Sequence, residues 1–389
     1  MTVLRNCLIL FNLIFISVCP AQNVLTGAAQ TDLYLPQLKS GKIALVVNQT
    51  STIGNTHLVD SLKSRGVKIS VIFAPEHGFR GNVSAGTTVS GGKDEKTGIK
   101  IISLYGNHKK PTKEDLEGID QVVFDIQDVG VRFYTYISTM HYVMEACAEN
   151  QIPFMVLDRP NPNGHYVDGP VMDSMYMSFV GMHPIPIVHG CTVGELAGMI
   201  NGQKWLKGKI KCNLTVIKCK NYTHHTVYIL PIRPSPNLQS QSSIYLYPSL
   251  GLFEGTTMSI GQGTDLPYQS FGSPAFDWGN LTFKPISIPG VAEKPKFLNT
   301  PCTGFDLTWY GDNKARNEAE INLNWLILSY RLSKNKAQFF NDFFEKLVGT
   351  SVLRKQIIAG MSAIEIKSTW QKGLDEFVKM RQEYLLYPL

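Results

Sequence analysis

The sequence predicts an α/β fold, in which a doubly wound parallel sheet is followed by a smaller α+β domain. Short stretches such as Ile43–Val47 and Val67–Ala74 are apolar throughout, as is typical of strands that are covered on both faces. Stretches with helical character, such as Tyr134–Asn150, separate these strands along the first half of the chain. Helices between successive strands favour a parallel sheet with right-handed crossovers.

The elements of the sheet domain follow from the same alternation. Its strands are predicted at Ile43–Val47, Val67–Ala74, Ile99–Tyr105, Gln121–Ile126, Pro153–Leu157 and Leu214–Cys219. Its helices are predicted at Thr56–Arg65, Pro111–Ile119, Tyr134–Asn150 and Thr192–Asn201. Gly66 and Gly118 are expected to end the first two helices, because glycine tolerates the left-handed conformation of a helix terminus.

The second half of the chain has a different character. Pro231–Ser243 is rich in Pro, Ser and Gln and is interpreted as a linker, whereas Tyr245–Pro274 combines glycine and turn residues with aromatic side chains. The smaller domain is predicted to contain a strand around Gly304–Tyr310 and helices at Ile321–Leu332, Ala337–Val348 and Thr369–Glu383. We therefore predict a signal peptide at 1–21, a sheet domain at 22–240 and an α+β domain at 241–389. The glycine-rich beginning of the α+β domain is expected to lie across the edge of the sheet and close a cleft there.

The first 21 residues have the order of a secretory signal, with an early cation at Arg5, an apolar run at Leu8–Val18, and small residues at Cys19 and Ala21. This run is too short for a stable membrane anchor, and no later apolar run is long enough to cross a bilayer. Cleavage after Ala21 is predicted, which places the mature protein in the periplasm or outside the cell. Lipid attachment at Cys19 is the alternative, although the preceding valine is bulkier than such sites usually accept.

Composition narrows the function classes. Hydrophobic residues make up 43% of the 389 residues, which excludes intrinsic disorder as the main state. The 37 Lys and Arg and 31 Asp and Glu give a net charge of +6, but the basic residues are scattered, so no nucleic-acid groove is predicted. The cysteines after the signal are dispersed and are expected to be buried thiols, with a Cys212–Cys219 pair as the alternative. The sequence contains no close group of four Cys and His residues, so no zinc site is predicted.

Polar residues follow the carboxyl ends of the predicted strands, where the ligands of open α/β sheets bind. These residues could also simply form turns, which Asn, Asp, Gly and Pro favour. We interpret them as a site for a polar small molecule. The candidates are Asn48, Glu76, His77, Tyr105, Asp125, Gln127, Asp128, Arg159 and Asn161. The glycine spacing of a dinucleotide site and the P-loop are both absent, so no cofactor is predicted, and no metal is predicted either.

Two carboxylates are the candidates for catalysis. Glu76 closely follows an apolar strand and lies between Phe73 and Phe79, surroundings that suit a general acid near neutral pH. A positive charge at His77 or Arg80 would act against this. Asp168 lies in a turn after the fifth strand, where a turn-forming role is an equal alternative. Two carboxylates from different strand ends are what glycoside hydrolysis needs.

Six short strings occur in a fixed order along the chain. They are APEHGFRG at 74–81, FDIQDVGVRFYTY at 124–136, LDRPNPNG at 157–164, VDGP at 167–170, PSPN at 234–237 and FEGT at 253–256. Together they closely resemble the NamZ family of exo-β-N-acetylmuramidases, and the resemblance runs from about residue 30 to the carboxyl end. Any one string would be weak, whereas six strings in order are highly specific.

The resemblance implies an enzyme of bacterial cell-wall turnover that releases N-acetylmuramic acid from the non-reducing end of peptidoglycan fragments. It also implies a Rossmann-like amino-terminal domain, a smaller carboxyl-terminal domain and an active site in the cleft between them. By motif, the family's proposed catalytic carboxylates fall on Glu76 and Asp168. Many members have glutamate at the second position, and we expect arginine where Gln262 stands, so this chain departs from the family twice.

The substrate that the resemblance implies carries a lactyl carboxylate, so its pocket should supply a cation or backbone N–H groups. Arg132 and Arg159 are the first choices, and Arg80 and Arg233 also lie in or beside the strings. An internal ion pair, such as that of Arg159 with Asp125 or Asp128, is an equal alternative for either arginine.

Other side chains in these strings are candidates for contact with the sugar, because aromatic rings stack on sugar faces and polar groups bind hydroxyls. These candidates are Tyr105, Tyr134, Tyr268, His77 and Asn237. Glu254 is interpreted as the structural partner of an arginine, with a role as a third active-site acid as the alternative.

We predict an exo-acting glycoside hydrolase whose partner is a peptidoglycan-derived sugar, with Glu76 as proton donor and Asp168 as base, nucleophile or orienting group. A non-catalytic muropeptide-binding protein of the periplasm is the alternative. A sugar esterase or deacetylase has less support, because the chain has neither an elbow serine nor a metal quartet. No stable membrane insertion is predicted, and no feature of the sequence specifies an oligomeric state.

Overall fold

The first domain contains a seven-stranded sheet. The computed structural model describes residues 23–79 and 91–389, so the predicted signal peptide and Arg80 lie outside the described residues. The strands, in chain order, are β1 Lys42–Val47, β2 Lys68–Ala74, β3 Gly92–Lys93, β4 Lys100–Ser103, β5 Gln121–Asp125, β6 Phe154–Leu157 and β7 Leu214–Ile217. A separate small hairpin pairs Thr52–Ile53 with Thr56–His57.

The order of the strands across the sheet is β3-β4-β2-β1-β5-β6-β7, and neighbouring strands are parallel except for β3 with β4. The short edge strand β3 is antiparallel, and the other six strands are parallel. If these six are numbered 1 to 6 in chain order, their order across the sheet is 3-2-1-4-5-6, which is the order of the Rossmann fold. The predicted α/β class with a mostly parallel, doubly wound sheet is therefore confirmed. The order reverses between β1 and β5, so a crevice is expected at their carboxyl ends.

Both faces of this sheet are buried, in agreement with the uninterrupted apolar runs. Successive side chains of β1 point to opposite faces. Leu45 belongs to the core that includes helix α1 (Leu58–Ser64), whereas Val46 belongs to the core that includes helices α2 (Tyr136–Glu149) and α3 (Val193–Gly202). A strand covered in this way cannot shift its register without exposing apolar side chains, which fixes where its carboxyl end lies.

The second domain contains a three-stranded antiparallel sheet and further helices, which confirms the predicted smaller α+β domain. Its strands are β8 Ser270–Ser273, β9 Leu281–Phe283 and β10 Cys302–Asp306, with β10 in the centre. Its helices are α4 Gln241–Leu250, α5 Asn324–Leu332, α6 Phe344–Val348, α7 Val352–Ile358, α8 Ala363–Ser368 and α9 Gln371–Gln382. Short helical turns lie at Thr308–Tyr310 and Arg316–Glu318 in this domain, and at Leu35–Leu38 before strand β1 of the first. The core around α2 continues into this domain through Phe253 and Phe344, so the two domains share an apolar interior.

Two predicted helices are shorter than expected. Pro111–Ile119 forms only one 3₁₀ turn, Glu114–Leu116. Ala337–Val348 is divided into a turn at Lys336–Gln338 and helix α6. Asn341 lies at the break, where its Oδ1 accepts the backbone N–H two residues later at 2.9 Å. Asparagine favours such local bonds over a continuous helix.

The predicted linker Pro231–Ser243 is an ordered part of the protein, and helix α4 begins within it. Ser240 caps the amino terminus of this helix. Sequence reasoning missed the helix because Pro248 lies inside it, and proline lacks the N–H that would bond the carbonyl of Ile244. The side-chain amide of Asn163 donates to that carbonyl instead, at 3.2 Å, so tertiary structure satisfies the group that proline leaves free.

The cysteines of the described residues are buried free thiols, as predicted, and the alternative Cys212–Cys219 pair is wrong. Within residues 23–79 and 91–389, no helix combines the length and the apolar character that a membrane crossing requires. The same part of the chain contains no group of three or more His, Cys, Asp or Glu side chains arranged to hold a metal ion.

Candidate active site

A cavity of about 370 Å³ lies where the carboxyl ends of the sheet strands meet the second domain, and its size is within the range of small-molecule sites. Its polar lining in the described chain consists of Glu76, His77, Thr135, Ser235, Asn237, Glu254 and Gln262. Its aromatic and apolar lining consists of Tyr105, Phe133, Tyr134, Tyr136, Phe179, Val180, Tyr247, Tyr268, Phe343 and Leu347. The candidates from the sequence that the fold brings together here are Glu76, His77, Tyr105, Tyr134, Asn237, Glu254 and Tyr268.

Glu76 is positioned by the end of strand β2, from which only Pro75 separates it. Its half-buried side chain accepts a hydrogen bond from Thr135 Oγ1 at 2.8 Å, at the start of helix α2. The next residue, His77, is buried and has a φ of 69°, in the left-handed region that is unfavourable for residues with a side chain. Backbone strain of this kind clusters at functional sites, where the surrounding packing enforces it.

Glu254 lies in the 3₁₀ turn Gly251–Gly255, and its Oε1 accepts a hydrogen bond from Tyr268 Oη at 2.6 Å. Burial raises the pKa of Glu254; the bond from Tyr268 and the charge of Lys296 oppose this rise, and the charge of Glu76 adds to it. The carboxylate is therefore bonded by a tyrosine, and the expected arginine partner is not found among the described residues. Glu254 and Glu76 face the same cavity, and the charge of Glu76 contributes to the raised pKa of Glu254.

Lys296 fixes the turn that carries Glu254. Its Nζ donates to the carbonyl oxygens of Phe253 at 3.0 Å, Glu254 at 3.2 Å and Thr256 at 2.6 Å. These carbonyls end a helical turn, where a cation is stabilising. Burial lowers the pKa of Lys296 to about 8, against the attraction of Glu254. Lys296 thus holds the backbone of the turn and brings positive charge close to the carboxylate.

The walls of the cavity are largely aromatic. The ring centre of Tyr134 lies 4.8 Å from that of Tyr136 and 5.9 Å from that of Tyr247, in edge-to-face arrangements. Tyr247 packs in the same way on Tyr268, with the ring centres 5.1 Å apart. The hydroxyls of Tyr134 and Tyr136 donate to the carbonyl of Pro234, at 2.7 and 3.3 Å. Rings held in this way offer rigid apolar faces against which a sugar ring packs.

Asp168 is not among the residues that line the cavity, which corrects the prediction that it faces Glu76 there. Its buried carboxylate accepts the backbone N–H groups of Gly169 and Ile321, both at 2.7 Å, and Lys367 Nζ lies 3.3 Å from Oδ2. Because Ile321 and Lys367 belong to the second domain, Asp168 joins the two domains. Ile321 and Lys367 lie far along the chain from Asp168, so the local turn gave no sign of these contacts.

Arg132 is fully buried and does not line the cavity, which corrects its prediction as the cation for the lactyl group. Its Nη1 donates to the carbonyls of Pro170 and Ile185, at 2.8 and 2.6 Å. Its Nη2 donates to those of Leu347 and Val348, at 3.0 and 2.6 Å. Burial lowers the pKa of Arg132 to about 9. The guanidinium therefore ties the first domain to helix α6 of the second.

Arg159 is likewise engaged inside the protein and is not part of the lining. Its Nε and Nη2 donate to the two carboxylate oxygens of Asp125, at 2.6 and 2.9 Å. The sequence left an ion pair with Asp125 or Asp128 open, and the structure shows the pair with Asp125. It uses the fork geometry that distinguishes arginine from lysine. Arg159, the second arginine predicted to bind the lactyl carboxylate, is therefore already paired and does not face the cavity.

The crevice at the reversal of strand order is filled by the protein's own polar groups. Asn48 Oδ1 accepts the N–H and the hydroxyl of Thr50, at 2.9 and 2.6 Å. Gln127 Nε2 donates to the carbonyls of Asp128 and Pro160, at 2.8 and 2.7 Å. The predicted binding residues that lie in or beside this network, and not in the cavity lining, are Asn48, Asp125, Gln127, Asp128 and Asn161. The site is consequently displaced from the crevice toward the second domain.

Sequence reasoning missed several residues of the lining. Thr135 and Tyr136 stand in the string FDIQDVGVRFYTY and Ser235 stands in PSPN, so the motifs contained a signal for them. Phe179 and Leu347 stand in none of the quoted strings, and only tertiary packing brings them to the cavity.

Gln262 lines the cavity at the position where the family resemblance led us to expect arginine. Its Nε2 lies 3.4 Å from Tyr268 Oη. The lining contributed by the described residues therefore contains the carboxylates of Glu76 and Glu254 but no arginine or lysine. Predicted Arg80 lies outside the described residues.

Asp128→Asn is expected to make the stability of the protein less sensitive to rising pH. Burial raises the pKa of Asp128 to about 7, against the lowering effect of backbone N–H groups such as that of Gly130, which lies 2.6 Å from Oδ2. The folded protein then holds a proton that the unfolded chain releases above pH ~4, so stability falls as pH rises toward 7. Asparagine does not titrate, so this loss disappears.

Urea unfolding at pH 5 and pH 8 measures this effect. The free energy of unfolding is measured for both proteins at each pH. The difference, Asp128→Asn minus wild type, should be about 2 kcal/mol more positive at pH 8 than at pH 5. Asp277→Asn is the matched control, because the Asp277 side chain is 82% exposed. The same pH dependence in the Asp128 variant and in wild type would contradict the prediction.

Comparisons with known proteins place this site in a family. A family model described as the amino-terminal domain of the exo-β-N-acetylmuramidase NamZ matches residues 43–242, and the model of the carboxyl-terminal domain matches residues 245–387. The chain belongs to the NamZ exo-β-N-acetylmuramidase family. The resemblance inferred from the six strings is thereby confirmed.

Relatives of the NamZ family match over most of the chain. The peptidoglycan β-N-acetylmuramidase NamZ of Bacillus subtilis (strain 168) is 40% identical over 375 residues, which cover 91% of this chain and 89% of that protein. Crystal structures of two DUF1343 family proteins from Bacteroides fragilis are 49% and 29% identical, with TM-scores of 0.88 and 0.80. Each covers 94% of this chain and 99% of its own. Glu76 and Glu254 come from different NamZ domains, so the cavity lies where these domains meet.

Proposed function

We propose that this protein releases N-acetylmuramic acid from the non-reducing end of peptidoglycan fragments by hydrolysing its β-glycosidic bond. The observation that carries the proposal is that Glu76 and Glu254, from the two domains of a NamZ-family chain, line one cavity. The name of the Bacillus subtilis relative, a peptidoglycan β-N-acetylmuramidase, supports the substrate class.

The form of the cavity supports action at a chain end. Its volume of about 370 Å³ suits a single sugar residue, and aromatic side chains surround that space. Phe179 bounds it from the first domain, and Phe343 and Leu347 bound it from the second. A terminal sugar enters such a pocket, whereas an internal sugar of a glycan chain would need an open groove on both sides.

Glu254 is the proposed proton donor. Burial raises its pKa, so it retains a proton closer to neutral pH than an exposed glutamate does. Glu76 is the proposed second carboxylate, acting as nucleophile, as base for water or as the group that orients the 2-acetamido substituent. This assignment differs from the sequence expectation, in which Glu76 donated the proton, because Asp168 lies outside the cavity and Glu254 lies inside it.

The proton of Glu254 moves to the glycosidic oxygen as the bond from that oxygen to the anomeric carbon breaks. Water supplies the new hydroxyl of N-acetylmuramic acid, and its remaining proton restores the acid. Between these events Glu254 carries a negative charge. The Tyr268 hydroxyl, 2.6 Å from Oε1, and the nearby Lys296 ammonium stabilise that charge.

Incubation of the purified mature protein with short peptidoglycan glycans, followed by mass spectrometry of the products, tests the proposal. Free N-acetylmuramic acid should appear first, with the glycan shortened from its non-reducing end. Binding without release would indicate the alternative, a muropeptide-binding protein. Acetate release would indicate an esterase or deacetylase, and internal cleavage would reject action at the chain end.

We also propose that the protein is exported to the periplasm or secreted, because residues 1–21 have the order of a cleaved signal peptide. Amino-terminal sequencing of protein recovered from the periplasm or the medium should begin at Gln22. A lipid-modified Cys19 in the membrane fraction would instead support the lipoprotein alternative.

A further inference from the structure

A second cavity, of about 470 Å³, lies beside the candidate active site. Ser235 lines both cavities, so segment 233–237 forms a wall between them. At one end of this wall, Arg233 lines the second cavity, and at the other, Asn237 lines the first. Asn237 Nδ2 also donates, at 3.0 Å, to the carbonyl of Val291, a residue of the second cavity. A single stretch of chain therefore separates the two cavities.

This wall is held from both sides. The hydroxyls of Tyr134 and Tyr136 donate to the carbonyl of Pro234 from the first cavity. From the second cavity, Gln49 Nε2 donates to the carbonyls of Arg233 and Pro234, at 3.2 and 3.1 Å. The backbone of Arg233 is thus pinned, while its side chain is exposed. Within residues 23–79 and 91–389, no hydrogen bond or ion pair engages its guanidinium.

The described linings of the two cavities differ in charge. The first contains the carboxylates of Glu76 and Glu254 and neither arginine nor lysine. The second contains Arg233, and its other described residues, such as Gln239, are neutral. An acidic group of a ligand is therefore repelled by the first lining and attracted by the second. A guanidinium with unused donors suits a carboxylate, because its planar fork bonds both oxygens at once.

We propose that the second cavity binds a muramic acid carboxylate of the substrate, with Arg233 as its cation, so that recognition extends over both cavities. This inference rests on the proposed function, which supplies a substrate with such groups. The carboxylate has two sources with the same chemistry. One is the lactyl group of the sugar that is released, and the other is that of the next muramic acid along the glycan.

Equilibrium binding to Glu76→Gln protein, in which turnover is suppressed, tests the inference. The ligands are the disaccharide of N-acetylmuramic acid and N-acetylglucosamine, a tetrasaccharide of two such units, and both glycans with their carboxylates converted to amides. Arg233→Gln should weaken binding of the acidic glycan about tenfold and affect the amides much less. If Arg233→Gln weakens binding of the disaccharide, the carboxylate belongs to the sugar that is released. If it weakens binding of the tetrasaccharide alone, the carboxylate belongs to the next muramic acid.

Arg331→Gln is the matched control, because it removes the same charge from an exposed position on helix α5. Equal affinities of the Arg233 and Arg331 variants for the acidic glycans, or amides that bind as tightly as the acids, would overturn the inference. Hydrolysis by the wild-type protein is measured separately. Absence of release together with binding that depends on Arg233 would reject the proposed enzyme and retain the carboxylate site.

Discussion

Glu254→Gln should reduce the release of N-acetylmuramic acid from an unactivated disaccharide by about 10³-fold, within the range that general acid catalysis contributes. Glutamine keeps the shape of the side chain but has no acidic proton for the leaving oxygen. An aryl glycoside whose phenolate leaves without protonation should lose far less, about tenfold. Steady-state rates on both substrates measure the difference.

Glu76→Gln distinguishes the second carboxylate from the donor. Its amide cannot attack, accept a proton from water or stabilise positive charge as a carboxylate does, so activity should fall about 10³-fold on both substrates. The fold should be retained, because a glutamine oxygen can still accept the hydrogen bond that Thr135 donates at 2.8 Å. If Glu254→Gln lowered activity on the disaccharide and on the aryl glycoside by similar factors, Glu254 would not be the proton donor.

Asp168→Asn is the matched control for these two variants. The carboxylate of Asp168 binds Ile321 and Lys367 of the second domain, so its loss should lower the free energy of unfolding. Activity per folded molecule should stay far above that of the Glu254 variant. A folded Asp168→Asn protein as inactive as Glu254→Gln would restore the pairing that the sequence suggested.

Arg132→Met is expected to lower the free energy of unfolding by about 3–5 kcal/mol. The substitution removes the guanidinium donors from the carbonyls of Pro170, Ile185, Leu347 and Val348. The carbonyl of Ile185 keeps the backbone N–H of Met172, at 3.1 Å, whereas the other three lose the donor described for them. Relief of a buried charge offsets part of this cost, because burial already disfavours the cation and lowers the pKa of Arg132 to about 9. Urea unfolding monitored by circular dichroism gives the value.

The same variant should also disturb the site, because Arg132 bonds the carbonyl of Leu347, and the Leu347 side chain lines the cavity. We expect an increased KM at temperatures where the protein is still folded. Arg132→Lys keeps a cation with fewer donors and should lie between wild type and methionine in stability. Arg331→Met, on the exposed face of helix α5, is the control. A methionine variant as stable as this control would show that the four contacts contribute nothing net.

The sequence predicted the sheet well because its signal is local. Strand β1 is apolar along its length, and such a run has few other stable placements than the interior of a parallel sheet. Helix α4 was not predicted, because Pro248 would normally exclude it, and only the distant Asn163 amide satisfies the carbonyl that proline leaves free. Local patterns therefore predict elements whose stabilising partners are nearby in the chain.

Polar residues at the strand ends were a weaker guide. Glu76 follows strand β2 and Asp125 ends strand β5, and the two look alike in sequence. In the structure Glu76 faces the cavity, whereas Asp125 forms an ion pair with Arg159. A charged side chain near the interior must either find a partner or reach solvent, and the identity of that partner is a tertiary property. For the same reason Glu254, expected to pair with an arginine, is instead bonded by Tyr268.

By itself, the amino-acid sequence determined the α/β architecture, the family and the position of Glu76 at a strand end, because apolar periodicity and ordered motifs are properties of short stretches of chain. Only the tertiary structure decided that Glu254 shares a cavity with Glu76, that Asp168 and Arg132 join the two domains, and that Arg233 remains without a partner in the described chain. The physical reason is that charged groups are distributed by desolvation and pairing across long separations in sequence. Those partners become neighbours only when the second domain packs against the first.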